Sequence, residues 1–160
     1  MTKLILALCL LAASCSSTTY YIVRHAEKQN ATTMTTDVPL SEKGMARAQA
    51  LAELLRNAGI KHIYTTNFQR TRATVQPLAS AIGVTLEVYD PRDKDFPERL
   101  KKIKGIVLVA GHSNTVDDLV NELSGENFVQ GDLPDSAYGD LFVLIRRGKK
   151  WTIEKRHFGE

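Results

Sequence analysis

Apolar residues fall along this chain in short strand-like runs separated by stretches of helical spacing. Tyr20-Tyr21-Ile22-Val23 is aromatic and β-branched, the composition of a buried strand. The polar, Thr-rich stretch from Gln29 to Val38 is a surface loop, and Ser41 is placed to cap a helix. Ala48, Leu51, Ala52, Leu54 and Leu55 make the apolar stripe of that helix, which Asn57-Ala58-Gly59 ends. Ile60 to Thr65 predicts a second strand, and Phe68 to Ile82 a second helix with a pause at Pro77 and a stop at Gly83. Val84 to Val88 is a short strand, Asp90 to Asp95 a charged loop, and Phe96 to Ile103 a short helix with a basic tail. Ile106-Val107-Leu108-Val109-Ala110 is apolar throughout, as a strand covered on both faces must be, and is expected at the centre. Val116 to Leu123 follows as a helix. Leu141 to Ile145 and Trp151 to Ile153, joined through Arg147-Gly148-Lys149, read as a closing hairpin. This order predicts an α/β fold: a three-layer α/β/α sandwich, its sheet mostly parallel with an antiparallel C-terminal edge hairpin. There are no internal repeats and no sign of a second domain.

Length and charge narrow the picture. A chain of 160 residues fits one domain and can bury a substantial core. Its net charge of +3 argues against nucleic acid as a partner. The amino-terminal stretch reads differently from the rest. Lys3 precedes an apolar run, Leu4 to Ala13, too short to span a bilayer, which stops at Ala12-Ala13-Ser14-Cys15. This resembles a bacterial lipoprotein signal. Residues 1–14 are then a leader, Cys15 is the lipidated first residue, 15–19 is a polar tether, and 20–160 is the folded domain. The expected location is the bacterial cell envelope, lipid-anchored on the periplasmic or outer side, with the membrane as a partner through Cys15. The alternatives are a plain signal peptide or a buried first helix. Cys9 and Cys15 are the two cysteines of the chain, so the mature domain has no thiol for nucleophilic or metal chemistry.

Candidate chemistry begins where the first strand ends, at Arg24-His25. In open α/β sheets ligands bind outside the carboxyl ends of strands. An arginine there is a bidentate donor for an oxyanion, and a histidine is a nucleophile or acid/base near neutral pH. The bland alternative for the pair is a solvated strand end. Arg24-His25-Ala26-Glu27 resembles the Arg-His-Gly-Glu signature of the histidine phosphatase superfamily, the phosphoglycerate-mutase-like fold, with Ala26 where Gly is usual. Leu40-Ser41-Glu42-Lys43-Gly44 resembles the start of its first helix. Tyr64 to Thr74 resembles its Ser-x-x-x-Arg-Ala-x-Gln-Thr segment, and Ala110-Gly111-His112-Ser113-Asn114 its second-histidine motif. No single match is specific, but together they run in the family's order.

The resemblance implies roles. His25 is the nucleophile, forming a phosphohistidine that water hydrolyses, and Arg24 and Arg70 clamp the phosphoryl oxygens. Arg72 is the alternative to Arg70. His112 is a further donor to the phosphoryl group, as the imidazolium. Glu27 is a candidate for substrate binding or for organising its loop, and Ser113 and Asn114 for phosphate contact or for starting a helix. The proton donor is expected to be Asp90, with Asp93 the alternative, because both follow the third strand. The segment after that strand is short, like that of the compact phosphohistidine phosphatase branch, and so implies an open site suited to a phosphorylated small molecule or a phosphoprotein. The resemblance implies no cofactor and no metal. The competing readings are a phosphoglycerate-mutase-like phosphotransferase and a non-catalytic phosphate-binding lipoprotein.

Overall fold

The computed structural model describes residues 17–30 and 37–160. The leader, Cys15 and most of the Thr-rich loop lie outside the described residues. Eleven elements run in the order β1 (Ser17–Arg24), α1 (Glu42–Leu55), β2 (His62–Thr65), α2 (Gln69–Ile82), β3 (Leu86–Val88), α3 (Phe96–Lys102), β4 (Ile106–Gly111), α4 (Ser113–Ser124), a 3-10 turn (Asp135–Ala137), β5 (Asp140–Arg147) and β6 (Lys150–His157). One six-stranded sheet has the order β3-β2-β4-β1-β5-β6. Its β3, β2, β4 and β1 are parallel, while β5 runs antiparallel to β1 and β6 to β5. This is the expected α/β sandwich.

The sheet is covered on both faces, and strand alternation divides the core. Tyr20, Ile22, Val107, Val109, Phe142 and Leu144 pack with Leu100 of α3 and with Val116 and Val120 of α4. Val23, Ile63, Leu108, Ala110, Leu141 and Val143 pack with Leu51 and Leu55 of α1 and with Val75 and Leu78 of α2. Both neighbours of β4 are strands and four of its residues are fully buried, which is why its sequence is apolar without alternation. Truncating a side chain such as Leu108 to Ala would cost about 2–5 kcal/mol.

Two boundaries differ from expectation. Strand β1 starts at Ser17, inside the stretch expected to be tether, because Ser17, Thr18 and Thr19 pair with Arg147, Arg146 and Ile145 of the long strand β5. Helix α2 runs through Pro77 without ending there and stops at Gly83, whose φ of 69° suits a residue without Cβ. Ser41 caps α1 as expected, its hydroxyl accepting from Gly44 N–H. Gly44 is required for a second reason: a Cβ there would stand 2.1 Å from the carbonyl oxygen of Glu27. The start of α1 is thereby pressed against the loop that follows His25.

Candidate active site

The chain moves outward from β1 to β2 and β3 with α1 and α2 on one face, then returns to β4 beside β1 with α3 on the other. That reversal opens a crevice at the carboxyl ends of β1 and β4, the usual ligand position in such sheets. Arg24 and Gly111 are register partners there, so His25 and His112 follow side by side, their rings 5.5 Å apart and nearly perpendicular. A cleft of about 330 Å³ lies over them, walled by Arg24, His25, Lys28, Phe68, Arg70, Pro91, Arg92, His112 and the first turn of α4, Ser113 to Thr115.

His25 is 4% exposed. Its Nδ1 lies 2.8 Å from the carbonyl oxygen of Ala26. A carbonyl only accepts, so Nδ1 carries the proton and Nε2 presents a bare lone pair. Burial is the main force pulling the imidazole down to about 3. The carbonyl contact opposes it, and the positive charges of Arg70 and Arg24 add to it. His25 is therefore neutral at pH 7. His112 behaves alike: burial first, then Arg70 and Arg24, bring it to about 4. The expected imidazolium at His112 is thus a neutral ring in the unliganded site, since the same arginines that would hold an anion repel a proton. Its Nε2 is held 3.0 Å from Thr66 Oγ1, which in turn meets Thr71 Oγ1 at 2.7 Å.

The arginine at the end of β1 is built in from the far loop. Arg24 Nη1 donates to the Pro134 carbonyl at 2.9 Å, Nη2 to Asp135 Oδ1 at 2.8 Å, and the guanidinium stacks on the Tyr138 ring at 4.1 Å. Its Nε is buried with no hydrogen-bond partner among the described residues, which leaves a donor for a ligand oxygen. Arg70 lines the cleft over the ring of Phe68, at 4.4 Å, while Arg72 points away and bonds Asn67. Between the two candidate clamps the structure brings Arg70 to the cleft.

Local chemistry explains the motif spacing. Thr74 Oγ1 accepts from Ala26 N–H at 2.9 Å and donates to the Arg70 carbonyl at 2.7 Å, tying the His25 loop to the turn of α2 that carries Arg70. Ala26 is fully buried against Leu40 and Ala48, and no non-glycine residue described has positive φ, so Ala fits where Gly is usual.

Two expected site residues stand elsewhere. Glu27 turns away from the cleft into a bidentate pair with Arg47, at 2.8 to 3.1 Å. Burial disfavours its charge, but the Arg47 hydrogen bonds outweigh that and hold the carboxyl below its ordinary range. Its contacts join the loop to α1, and it is not among the residues that wall the cleft. Asp90 is half exposed, bonded to Arg92, and absent from the cleft wall. Strand β3 is the edge strand of the sheet, and the loop it feeds reaches the cleft through Pro91 and Arg92, while the Asp90 carboxylate is turned into its pair with Arg92. The Arg92 hydrogen bonds also lower the Asp90 carboxyl, the wrong direction for an acid. Asp93, the alternative, is paired with Arg99. Ser113 and Asn114 do line the cleft, at the start of α4, where free backbone N–H groups favour an anion. Sequence reasoning missed Lys28, Thr66, Arg47, Asp135 and Tyr138. For Arg47 a signal existed, because it shares the buried helical face of Gly44, Ala48 and Leu51. Among the described residues no three His, Cys, Asp or Glu side chains converge on a possible metal position.

Comparison with known proteins points to the same part of the chain. Residues 20–93 match the profile of the histidine phosphatase superfamily (branch 1). A probable phosphoglycerate mutase, GpmB, of Yersinia pestis (strain Pestoides F) is 41% identical over 80 residues, which is 48% of this chain and 37% of that protein. The chain thus matches little more than a third of the length of these curated relatives. Among solved structures, the protein histidine phosphatase SixA complexed with tungstate superposes with a TM-score of 0.67 at 17% identity, over 87% of this chain and 96% of SixA. The mycobacterial glucosyl-3-phosphoglycerate phosphatase gives 0.62 at 16% identity, over 89% of this chain and all of that one. The profile thus marks residues 20–93 as similar to that superfamily, and the solved structures share the fold.

Proposed function

We propose that the protein is a metal-independent phosphatase that works through a phosphohistidine at His25. The observation that carries this is the fixed tautomer: Nδ1–H is held by the Ala26 carbonyl, so the Nε2 lone pair faces a cleft walled by Arg24 and Arg70. Nε2 attacks phosphorus, the bond from phosphorus to the leaving atom breaks, and that atom leaves with its electron pair. Arg24, Arg70 and the α4 amides stabilise the charge on the equatorial oxygens. Water then attacks phosphorus, the N–P bond breaks, and the imidazole regains its lone pair. His112 donates a hydrogen bond once a dianionic phosphate raises its proton affinity.

The leaving group sets the substrate class. Among the described residues that line the cleft there is no carboxyl to protonate a departing alkoxide. This favours substrates whose leaving group departs readily: phosphohistidine, other phosphoramidates and aryl phosphates. The test is phosphate release from phosphohistidine peptide, p-nitrophenyl phosphate and glycerol phosphate, with and without a chelator. The expected result is turnover of the first two, slow glycerol phosphate hydrolysis, and no effect of the chelator. Chelator-sensitive turnover, or glycerol phosphate as the best substrate, contradicts the reading. We also propose that the chain is anchored to a bacterial envelope membrane through acylated Cys15, a reading supported by the leader's composition alone.

A further inference from the structure

The sheet has two chemically distinct ends. At one, β1 delivers Arg24 and His25 to the cleft. At the other, β1 begins at Ser17, two residues after Cys15. Ser17 pairs with Arg147, Thr19 with Ile106, and Lys61 N–H bonds the Ile106 carbonyl. The starts of β1, β2 and β4 and the β5–β6 turn therefore share that end. It is basic: Lys61, Lys102, Lys104, Arg147, Lys149 and Lys150 are all exposed there. Nearby, Arg56 and Lys101 are neutralised by Glu53 and Glu98, but these six have no ion-pair partner among the described residues. The chain's net charge is only +3, so this end concentrates positive charge that the rest of the molecule offsets.

We propose that this basic end is a docking surface for an anionic phospholipid bilayer, and that docking turns the cleft away from the membrane. The proposal rests on the anchored reading above for what brings the surface to the bilayer. One residue, Ser16, separates Cys15 from β1, and a link that short reaches about 7 Å. It holds the Ser17 end of the sheet within roughly a Debye length (~8 Å) of the headgroups, where their potential acts on nearby cations. The strand from Ser17 to Arg24 then carries the cleft about 23 Å outward, at ~3.3 Å per residue. A site so placed faces phosphorylated molecules in the aqueous phase and not lipid headgroups.

The test uses the full acylated chain and a K104S/R147S/K149S/K150S variant, floated with vesicles of phosphatidylcholine alone or mixed with phosphatidylglycerol. The acyl anchor enters both vesicles alike, so the difference between them reads the charged surface. Each basic residue near an anionic surface contributes about fivefold in partitioning, so the wild type should prefer the mixed vesicles by at least roughly tenfold at low salt. High salt should collapse that preference, and the variant should lack it while releasing phosphate as the wild type does. Equal partitioning of the wild type, or a preference retained by the variant, overturns the proposal. Competition by RNA that strips the wild type from mixed vesicles but not from neutral ones, with RNA bound more tightly than lipid, reassigns the surface to nucleic acid and also overturns it. Lipid labelling at Cys15 is scored separately: a chain that lacks the label yet prefers anionic vesicles removes the anchor reading and leaves the docking surface standing.

Discussion

Replacing Arg47 by methionine should destabilise the fold far more than an ordinary surface change. Arg47 is 5% exposed and donates to both oxygens of Glu27, to the Phe158 carbonyl at 2.8 Å and to the Glu160 carbonyl. Methionine fills much of the volume, so the loss is electrostatic. Glu27 would keep a carboxylate whose side chain is 14% exposed, with Lys43 at 3.8 Å its remaining cation. Removing one partner of a buried pair costs about 3–5 kcal/mol, and the exposed Lys43 brings the expectation to the lower end, ~3 kcal/mol. For a domain of this size that is a fall in Tm of about 10 °C. Adding Glu27→Gln to the Arg47→Met protein removes the stranded charge and should recover at least ~1.5 kcal/mol, so the double-mutant cycle reads the pair directly. Urea and thermal unfolding of the four proteins measure it. Additive effects, or a loss below ~1 kcal/mol for Arg47→Met, would refute a role for this pair in holding the His25 loop.

Three further outcomes follow from the site. Arg70→Ala removes a charge-assisted donor of roughly 1.5–3 kcal/mol and should lower kcat/KM about tenfold to a hundredfold or more, while Arg72→Ala, which loses a bond to Asn67, should change it little. Asp90→Asn should leave the ratio of glycerol phosphate to aryl phosphate rates unaltered, and a selective loss on glycerol phosphate would restore Asp90 as the acid. Finally, His25 and His112 have folded-state pKa values near 3 and 4 against an ordinary 6.5. The unfolded chain binds more protons between these limits, so the stability they confer is full above pH 6.5 and is lost as pH falls toward 4 and 3. Thermal melts from pH 7 to 5 should fall accordingly, and His25→Asn should flatten part of that slope.

The sheet and helices were legible because their periodicity reports burial. Ile106 to Ala110 has no alternation because both its faces are covered, and Leu51, Ala52 and Leu55 of the expected stripe lie against Val23 and Leu108, while Ala48 packs on Ala26 and Leu54 is exposed. The site was legible where a side chain sits at the end of an element: Arg24, His25 and His112 follow β1 and β4, and Arg70 opens α2. What escaped depends on contacts across the chain. Asp135 and Tyr138 reach Arg24 from more than a hundred residues away, out of a stretch, Glu126 to Gly139, that has no periodicity to read. Glu27 stands in the signature and Arg47 on the apolar face of α1, but the pairing that takes Glu27 out of the cleft exists only once α1 packs on the loop. Asp90 was misplaced because position after a strand does not say which way a side chain turns: its neighbours Pro91 and Arg92 reach the cleft, while Asp90 is taken up by Arg92.

The central claim, attack by Nε2 of His25, has a direct measurement. The protein is mixed with a radiolabelled phosphoryl donor such as phosphoramidate, quenched in alkali within the first turnover, digested and mapped by mass spectrometry. The account predicts an acid-labile, alkali-stable phosphoryl group on the peptide containing His25, absent from His25→Ala, with that variant folding normally. Label on His112, label that persists in His25→Ala, or turnover by His25→Ala at the wild-type rate would contradict it.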